Sequence, residues 1–401
     1  MIPFARVLNY GNKAPAPVVN KYKKIDCSYS CTIVLGKTGN LYYFGSPAAG
    51  EIPSSTSVKT LFATDVADCA IAAQNTVYLT NGGSFIFYGN NTAFGGTPVA
   101  NVSNVDITDK FTTVGPVDNI KKFMVNYGTI YMLTKDGDLY GIGSNSSGQL
   151  GIGSNTALYS NFTLIRSSVD DFTCNKNYGL FVLSGGVIYA CGSGQDIGVG
   201  IGSGSKQITL TPIVLSGAVN GSFGTTLDGV LSTTRSGAVV FSQSTNKLFS
   251  CGYRGGAFNN NSATSASPPN AASSIFTAVV MTNSTGDALE YKGKMWSGSG
   301  DPYFPIILMS KSDGSGLGYY FSASNDAGIY GTGEAVYQTR MKLAGVSRNA
   351  DCVNFQRGAL YYSSGDYFMA AGNSSNNSIP GFTGNQYYFI TPVGFAVNDI
   401  V

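Results

Sequence analysis

Hydrophobic residues along this chain fall in short runs, separated by Gly, Asn, Asp and Ser. The clearest unit is Thr129–Gly153, TIYMLTKDGDLYGIGSNSSGQLGIG. An apolar strand, Ile130 to Leu133, meets Asp136-Gly137 and is followed by the return run Leu139-Tyr140-Gly141-Ile142. Two short apolar runs flanking Asp-Gly predict a β-hairpin with a type I′ turn, in which both central residues take positive φ. Gly143-Ser144-Asn145 leaves the strand, and Gly148-Gln149-Leu150-Gly151 predicts a second corner.

The same order recurs. Cys31–Ile52 reads CTIVLGKTGNLYYFGSPAAGEI, and Thr76–Gly96 reads TVYLTNGGSFIFYGNNTAFGG. Further copies begin at Gly179, Val239 and Gly358, and Pro305–Gly333 carries a degraded one. Aligning the end of the return strand gives Gly45, Gly89, Gly143, Gly192, Gly252, Ala323 and Gly372, at spacings of 44, 54, 49, 60, 71 and 49 residues. A repeat of about 40–50 residues with several strands per copy is the pattern of propeller blades. Closing such blades into a ring leaves only short, protected sheet edges.

The third copy, LTKDGDLYGIGSNSSGQLGIG, closely resembles the repeat of the regulator of chromosome condensation family. The other copies resemble it less closely, and together they cover roughly residues 25–385. The resemblance implies an all-β, seven-bladed β-propeller with about four antiparallel strands per blade, and seven copies match that number. The expected organisation is an N-terminal arm, 1–24, and a single propeller, 25–401. The resemblance also implies that a terminal segment completes a blade like a clasp. Either the arm, stiffened by Pro15 and Pro17, or the tail around Phe395-Ala396-Val397 suits that role. One departure stands out. The family repeat carries a His before its first strand, whereas this chain has no His and places Tyr29, Tyr127 and Tyr178 near that point. Family members bind macromolecules on a propeller face, among them a small GTPase, chromatin, ubiquitin-ligase components and a β-lactamase. They share no reaction, so the fold alone assigns none.

Composition narrows the chemistry. With no His, the chain has no His-based nucleophile activation, His-ligated metal or imidazole pH switch. Twenty-four basic against 22 acidic residues give a net charge of +2, no field for holding nucleic acid. The start, MIPFARVLNYGNKAPAPVV, lacks a signal-peptide core, and the apolar run Pro305–Met309 is far too short to span a bilayer. The expectation is a soluble chain made in a cytoplasm without export.

Several local patterns suggest chemistry and are better read as structure. Gly36-Lys37-Thr38 resembles the end of a phosphate loop, but the required earlier Gly is Cys31. Gly198–Gly204 resembles a dinucleotide loop without a βαβ unit around it. Asp170-Asp171, Asp301 and Glu334 are the carboxylates available for a glycosidase pair. Lys21, Lys23 and Lys24, with Lys121-Lys122, form a small basic group read as a solvated face. The seven Cys contain no CxxC pair, and six are assigned repeat-equivalent packing positions, with Cys27, Cys69, Cys174 and Cys352 sharing one of them. No catalytic residue, cofactor or metal site is assigned.

The longest spacing, between copies five and six, holds two loop insertions, near 253–274 and 283–304. Long loops in a compact fold are functional or disordered more often than not. These carry the only Trp, and Trp, Tyr and Arg dominate binding hot spots. The candidate partner-binding residues are therefore Trp296, Tyr291, Tyr303, Phe304, Tyr253, Arg254 and Phe258. The competing reading is that Trp296 plugs an irregular sixth blade. Charged residues are only 11% of the chain, against roughly 25% in ordinary domains. The chain is rich in Tyr, Ser, Gly and Asn, the vocabulary of adaptable contact surfaces. That composition resembles bacteriophage virion proteins. The expected function is a non-enzymatic binding propeller in a phage virion (tail, fibre or capsid decoration), its partners other virion proteins and a host-surface glycan or protein. No nucleic acid or membrane insertion is expected. The alternatives are a cellular regulator of the exchange-factor or chromatin-docking type, and a glycan-binding or glycoside-active propeller.

Overall fold

A computed structural model describes residues 22–47, 50–90, 102–111, 114–126, 128–174, 179–193, 206–213, 231–234, 237–242, 246–252, 273–279, 281–283, 285–296, 306–321, 342–346, 350, 352–356, 359–364, 367–373, 379–382, 385–392 and 395. The described strands form seven four-stranded antiparallel sheets, each built from strands consecutive in sequence. They span Tyr22–Ala63, Val66–Asp106, Ile120–Arg166, Asp171–Pro212, Leu231–Ala278, Glu290–Leu343 and Cys352–Ile390. Among the described residues no helix is long and apolar enough to cross a membrane.

The sheets make an all-β propeller. First strands lie side by side from sheet one to two, two to three, three to four, four to five, and seven to one, so these strands line the centre. Apolar faces join the rest. Val239 and Phe241 of sheet five pack with Ile307 and Met309 of sheet six. Leu308 and Tyr319 of sheet six pack with Leu360 and Tyr362 of sheet seven. Four second strands, Cys31–Gly36, Thr129–Thr134, Gly179–Ser184 and Ile306–Ser310, are buried along their whole length, because both faces meet a neighbouring sheet. This is why those segments read as continuous apolar runs.

The central hairpin of sheet three differs from the expected type I′ turn. Gly137 has φ +90°, but Asp136 does not have positive φ. The Gly137 N–H donates to Thr134 O (3.2 Å) and the Thr134 N–H to Asp138 O (2.9 Å). Lys135-Asp136 therefore make a type I turn, and Gly137 takes the left-handed position that returns the chain to the sheet. Only that third loop residue needs glycine. Sheets one, two and six repeat this pattern, whereas sheet four uses Gly185-Gly186, both at positive φ, as a two-residue type I′ turn.

The Gly-Gln-Leu-Gly corner fastens one sheet to the next. The Leu150 N–H donates to Asn145 Oδ1 (2.9 Å), and Asn145 Nδ2 donates to Ser154 O (2.8 Å). Gln149 Oε1 accepts the Ser147 N–H (2.9 Å). Both side chains are fully buried. The corner then reaches the outer strand of sheet four, where the Gly153 N–H donates to Ile208 O and the Leu210 N–H to Gly151 O.

Residues 1–21 of the expected arm, and Ala396 and Val397 of the tail, lie outside the described residues. The first described strand starts at Tyr22, inside the expected arm, and among the described strands sheets one and seven each use consecutive ones. Phe395 joins no described strand. It stacks on Phe368 (4.3 Å) and meets Phe44 edge-on (5.7 Å), covering the seam between sheets seven and one.

Candidate functional site

At the ring centre the first strands carry a charged belt. Lys24 Nζ bonds Asp68 Oδ1 at 2.9 Å, from sheet one to sheet two. Lys122 Nζ bonds Asp171 Oδ1 at 2.9 Å, from sheet three to sheet four. The register shows the equivalence: Lys24 lies opposite Leu35, and Lys122 opposite Leu133. Beside them, Lys23 Nζ donates to Ala67 O and Lys121 Nζ to Asp170 O. Sheets one–two and three–four thus share one two-sheet device. Of the basic group read as a solvated face, Lys23 and Lys121 are exposed and Lys24 and Lys122 half-buried, and all four also join sheets, while Lys21 lies outside the described residues. Burial works against the Lys24 charge, but Asp68, with Asp26 beyond it, outweighs this and holds its pKa above the usual lysine range.

Asp26 extends the joining role. Its Oδ1 accepts its neighbour's Cys27 N–H, and its Oδ2 the Ile71 N–H of sheet two. Asn354 Nδ2 of sheet seven donates to Ile25 O (3.1 Å). Asp171 serves similarly by accepting from Lys122 of sheet three, whereas Asp170 Oδ2 accepts the Gly185 N–H (2.8 Å) within sheet four. Asp301 and Glu334 lie outside the described residues. Among the described residues no group of three or more His, Cys, Asp or Glu is placed to hold a metal ion.

Cys27 and Cys174 share a register, each opposite the second residue of its partner strand, Thr32 and Leu180. Cys69 sits two positions earlier, opposite Tyr78, and Cys352 lies opposite Ser363, so the four do not share one position as expected. The connections from first to second strand differ in length, three residues after Cys27, four after Cys174 and two after Ala72 and Gln356, so a constant eight-residue offset does not mark a constant position. Cys27, Cys31, Cys69, Cys174 and Cys191 are buried free thiols. Burial pushes Cys69 and Cys191 well up from the ordinary thiol range.

The expected 283–304 insertion contains the first strand of sheet six, Glu290–Trp296. The sequence YKGKMW shows little alternation, and pairing with the apolar Ile306–Ser310 makes it a strand. Tyr291 is half-buried, its ring 4.4 Å from Phe241 of sheet five. Trp296 is half-buried, and its Nε1 donates to Tyr319 Oη at 3.0 Å. Both therefore face the packing, as the plug reading has it. Tyr253, Arg254, Phe258, Tyr303 and Phe304 lie outside the described residues.

Between the two aromatic anchors the strand is irregular. Tyr291 lies opposite Met309 and Met295 opposite Ile307, so Lys292-Gly293-Lys294 stand across from Leu308 alone. All three are exposed. Gly293 has φ +85°, and a Cβ there would meet nothing within 4 Å. Bulges commonly re-aim side chains beside functional sites. Sequence reasoning selected this segment for its aromatics and missed its lysines; Gly between two Lys was the available signal. On the hairpin face, Tyr367 of sheet seven is 59% exposed and Leu317 of sheet six 43%.

This geometry defines a propeller whose repeat-signature polar groups hold the ring together and whose exposed residues suit recognition. No family model matches the sequence. The chain is similar to the RCC1 repeat-containing protein DDB_G0284033 of Dictyostelium discoideum, 29% identical over 159 residues, or 36% of this chain and 32% of that protein. The matched region thus spans about a third of that relative's length. A chain in the crystal structure of Kap60 bound to yeast RCC1 (Prp20) aligns with a TM-score of 0.62 at 12% identity, covering 98% of this chain and 92% of that one. Human WBSCR16 aligns with a TM-score of 0.57 at 12% identity, covering 93% and 82%. The fold is an RCC1-like β-propeller.

Proposed function

We propose that each of the seven sheets is one blade and that the protein is a non-enzymatic binding propeller of a phage virion, docked on a larger assembly. The observation that carries the binding reading is the division of labour among polar side chains. Asn145, Gln149, Asp26, Lys24 and Lys122 are spent on joining or shaping sheets. What remains exposed includes Tyr367, Leu317 and the Lys292–Lys294 bulge. Few charges with abundant Tyr, Ser, Gly and Asn support a virion setting, where contact surfaces need adaptable polar residues at low entropy cost. Virion proteins are the proposed partners, with a host-surface glycan or protein at the free face.

The likeness to an RCC1 repeat protein supports a second reading, a cellular regulator that docks on a protein partner. Sedimentation of the native source lysate through a density gradient, with immunoblotting, separates the two. Co-migration with a megadalton particle is expected. Migration near its own 41.9 kDa mass, or with one small partner, overturns the virion reading and favours the regulator.

A further inference from the structure

We infer that the exposed Lys292-Gly293-Lys294 bulge is a docking point for an acidic segment of a protein partner, an inference that rests on the binding-propeller reading. Three residues stand opposite one in the ladder, so the apex leaves the sheet. Its Gly backbone meets open space, and the flanking lysines are exposed. The bulge is also held firmly. Tyr291 anchors its start on Phe241 of sheet five, and Trp296 anchors its end on Tyr319 of sheet six. Ordered cations bind with less entropy cost than mobile ones.

Charge complementarity selects the occupant. The belt lysines Lys24 and Lys122 already pair with Asp68 and Asp171. At the bulge, Glu290 Oε2 accepts from Lys292 Nζ at 2.8 Å in an exposed pair. An incoming carboxylate can share or replace Glu290, while Lys294 provides the second cation. Two cations suit paired carboxylates and are too few to hold a phosphodiester backbone at physiological salt.

The test titrates fluorescein-labelled octaglutamate peptide into the full chain at low salt, read by anisotropy. Intrinsic fluorescence of Trp296, the only Trp, reports binding at the bulge. Saturable binding with a change in Trp emission is expected. Lys292→Ala/Lys294→Ala should weaken it at least tenfold, and Glu290→Gln should strengthen it. Gly293→Ala keeps both lysines but disfavours the apex, and should also weaken it. Octaglutamine should not bind. No octaglutamate binding, equal binding by the double variant, or equal binding of an eight-residue thymidine oligonucleotide overturns the inference. Because this readout needs no particle, its failure is distinguishable from a failure of the virion reading in the gradient.

Discussion

Glu51 and Gln149 occupy equivalent corners, in Gly50-Glu51-Ile52 and Gly148-Gln149-Leu150. Both are fully buried. The Gln149 amide uses both halves, its Oε1 accepting the Ser147 N–H and its Nε2 donating to Ser144 Oγ. Glu51 Oε1 accepts from Ser28 Oγ (3.3 Å) and Cys31 Sγ (3.5 Å). Burial, and then Glu51, push the Cys31 thiol well up. Glu51→Ala removes the acceptor of two buried donors and is expected to cost about 1–3 kcal/mol, seen as a lower urea midpoint at unchanged slope. An unchanged midpoint would refute this account. The equivalence of the corners is legible in the sequence. Complete burial of a charged residue is not, because the closing contacts come from residues 20 or more positions away.

The two-sheet belt belongs to the scale of strands. Its lysine pairs are visible at Lys23-Lys24 and Lys121-Lys122, but their partners lie 44 and 49 residues on. Pairing them needs the register of two different sheets at once. A double-mutant cycle with Lys24→Met and Asp68→Asn should give a coupling of about 0.5–1 kcal/mol, since both side chains are a third exposed. In 1 M NaCl the coupling should shrink. The Lys24 pKa is raised, so its contribution is complete below the unfolded lysine value of about 10.4 and is lost as pH rises through the folded value. The stability gap to Lys24→Met should thus stay flat from neutral pH to about 10 and narrow above it. A coupling of zero would make the belt a surface ornament. The first strand of sheet six illustrates the opposite case. Its polar segment shows no strand period, and only the apolar partner strand recruits it.

Ring closure is a property of the whole molecule. Sheets one and seven meet through Asn354 on Ile25, Gly381 on Ser57, and Phe395 against Phe44 and Phe368. Phe395 is buried, and Tyr22 Oη donates to its carbonyl at 3.5 Å. Phe395→Ala leaves a cavity at the last seam, at a cost of about 3–5 kcal/mol. Thermal unfolding should shift down by several degrees and remain one transition, since each sheet depends on two neighbours. A second, separate transition would show that the sheets unfold independently.

The repeat, the hairpins and the apolar second strands are legible in the chain alone. Those features follow from local turn chemistry and from apolar runs that have one favourable environment. The chain also placed the glycine corners, though the turn type of Asp136-Gly137 depended on which loop length the closing pair Thr134/Asp138 selects. That the lysine pairs join sheets, that Trp296 anchors a bulge and that Phe395 packs into the seam follows from the folded arrangement alone. Each of these depends on side chains brought together from different repeats. A contact of that kind leaves no period in the sequence, because neither partner's neighbours reveal where the other will stand.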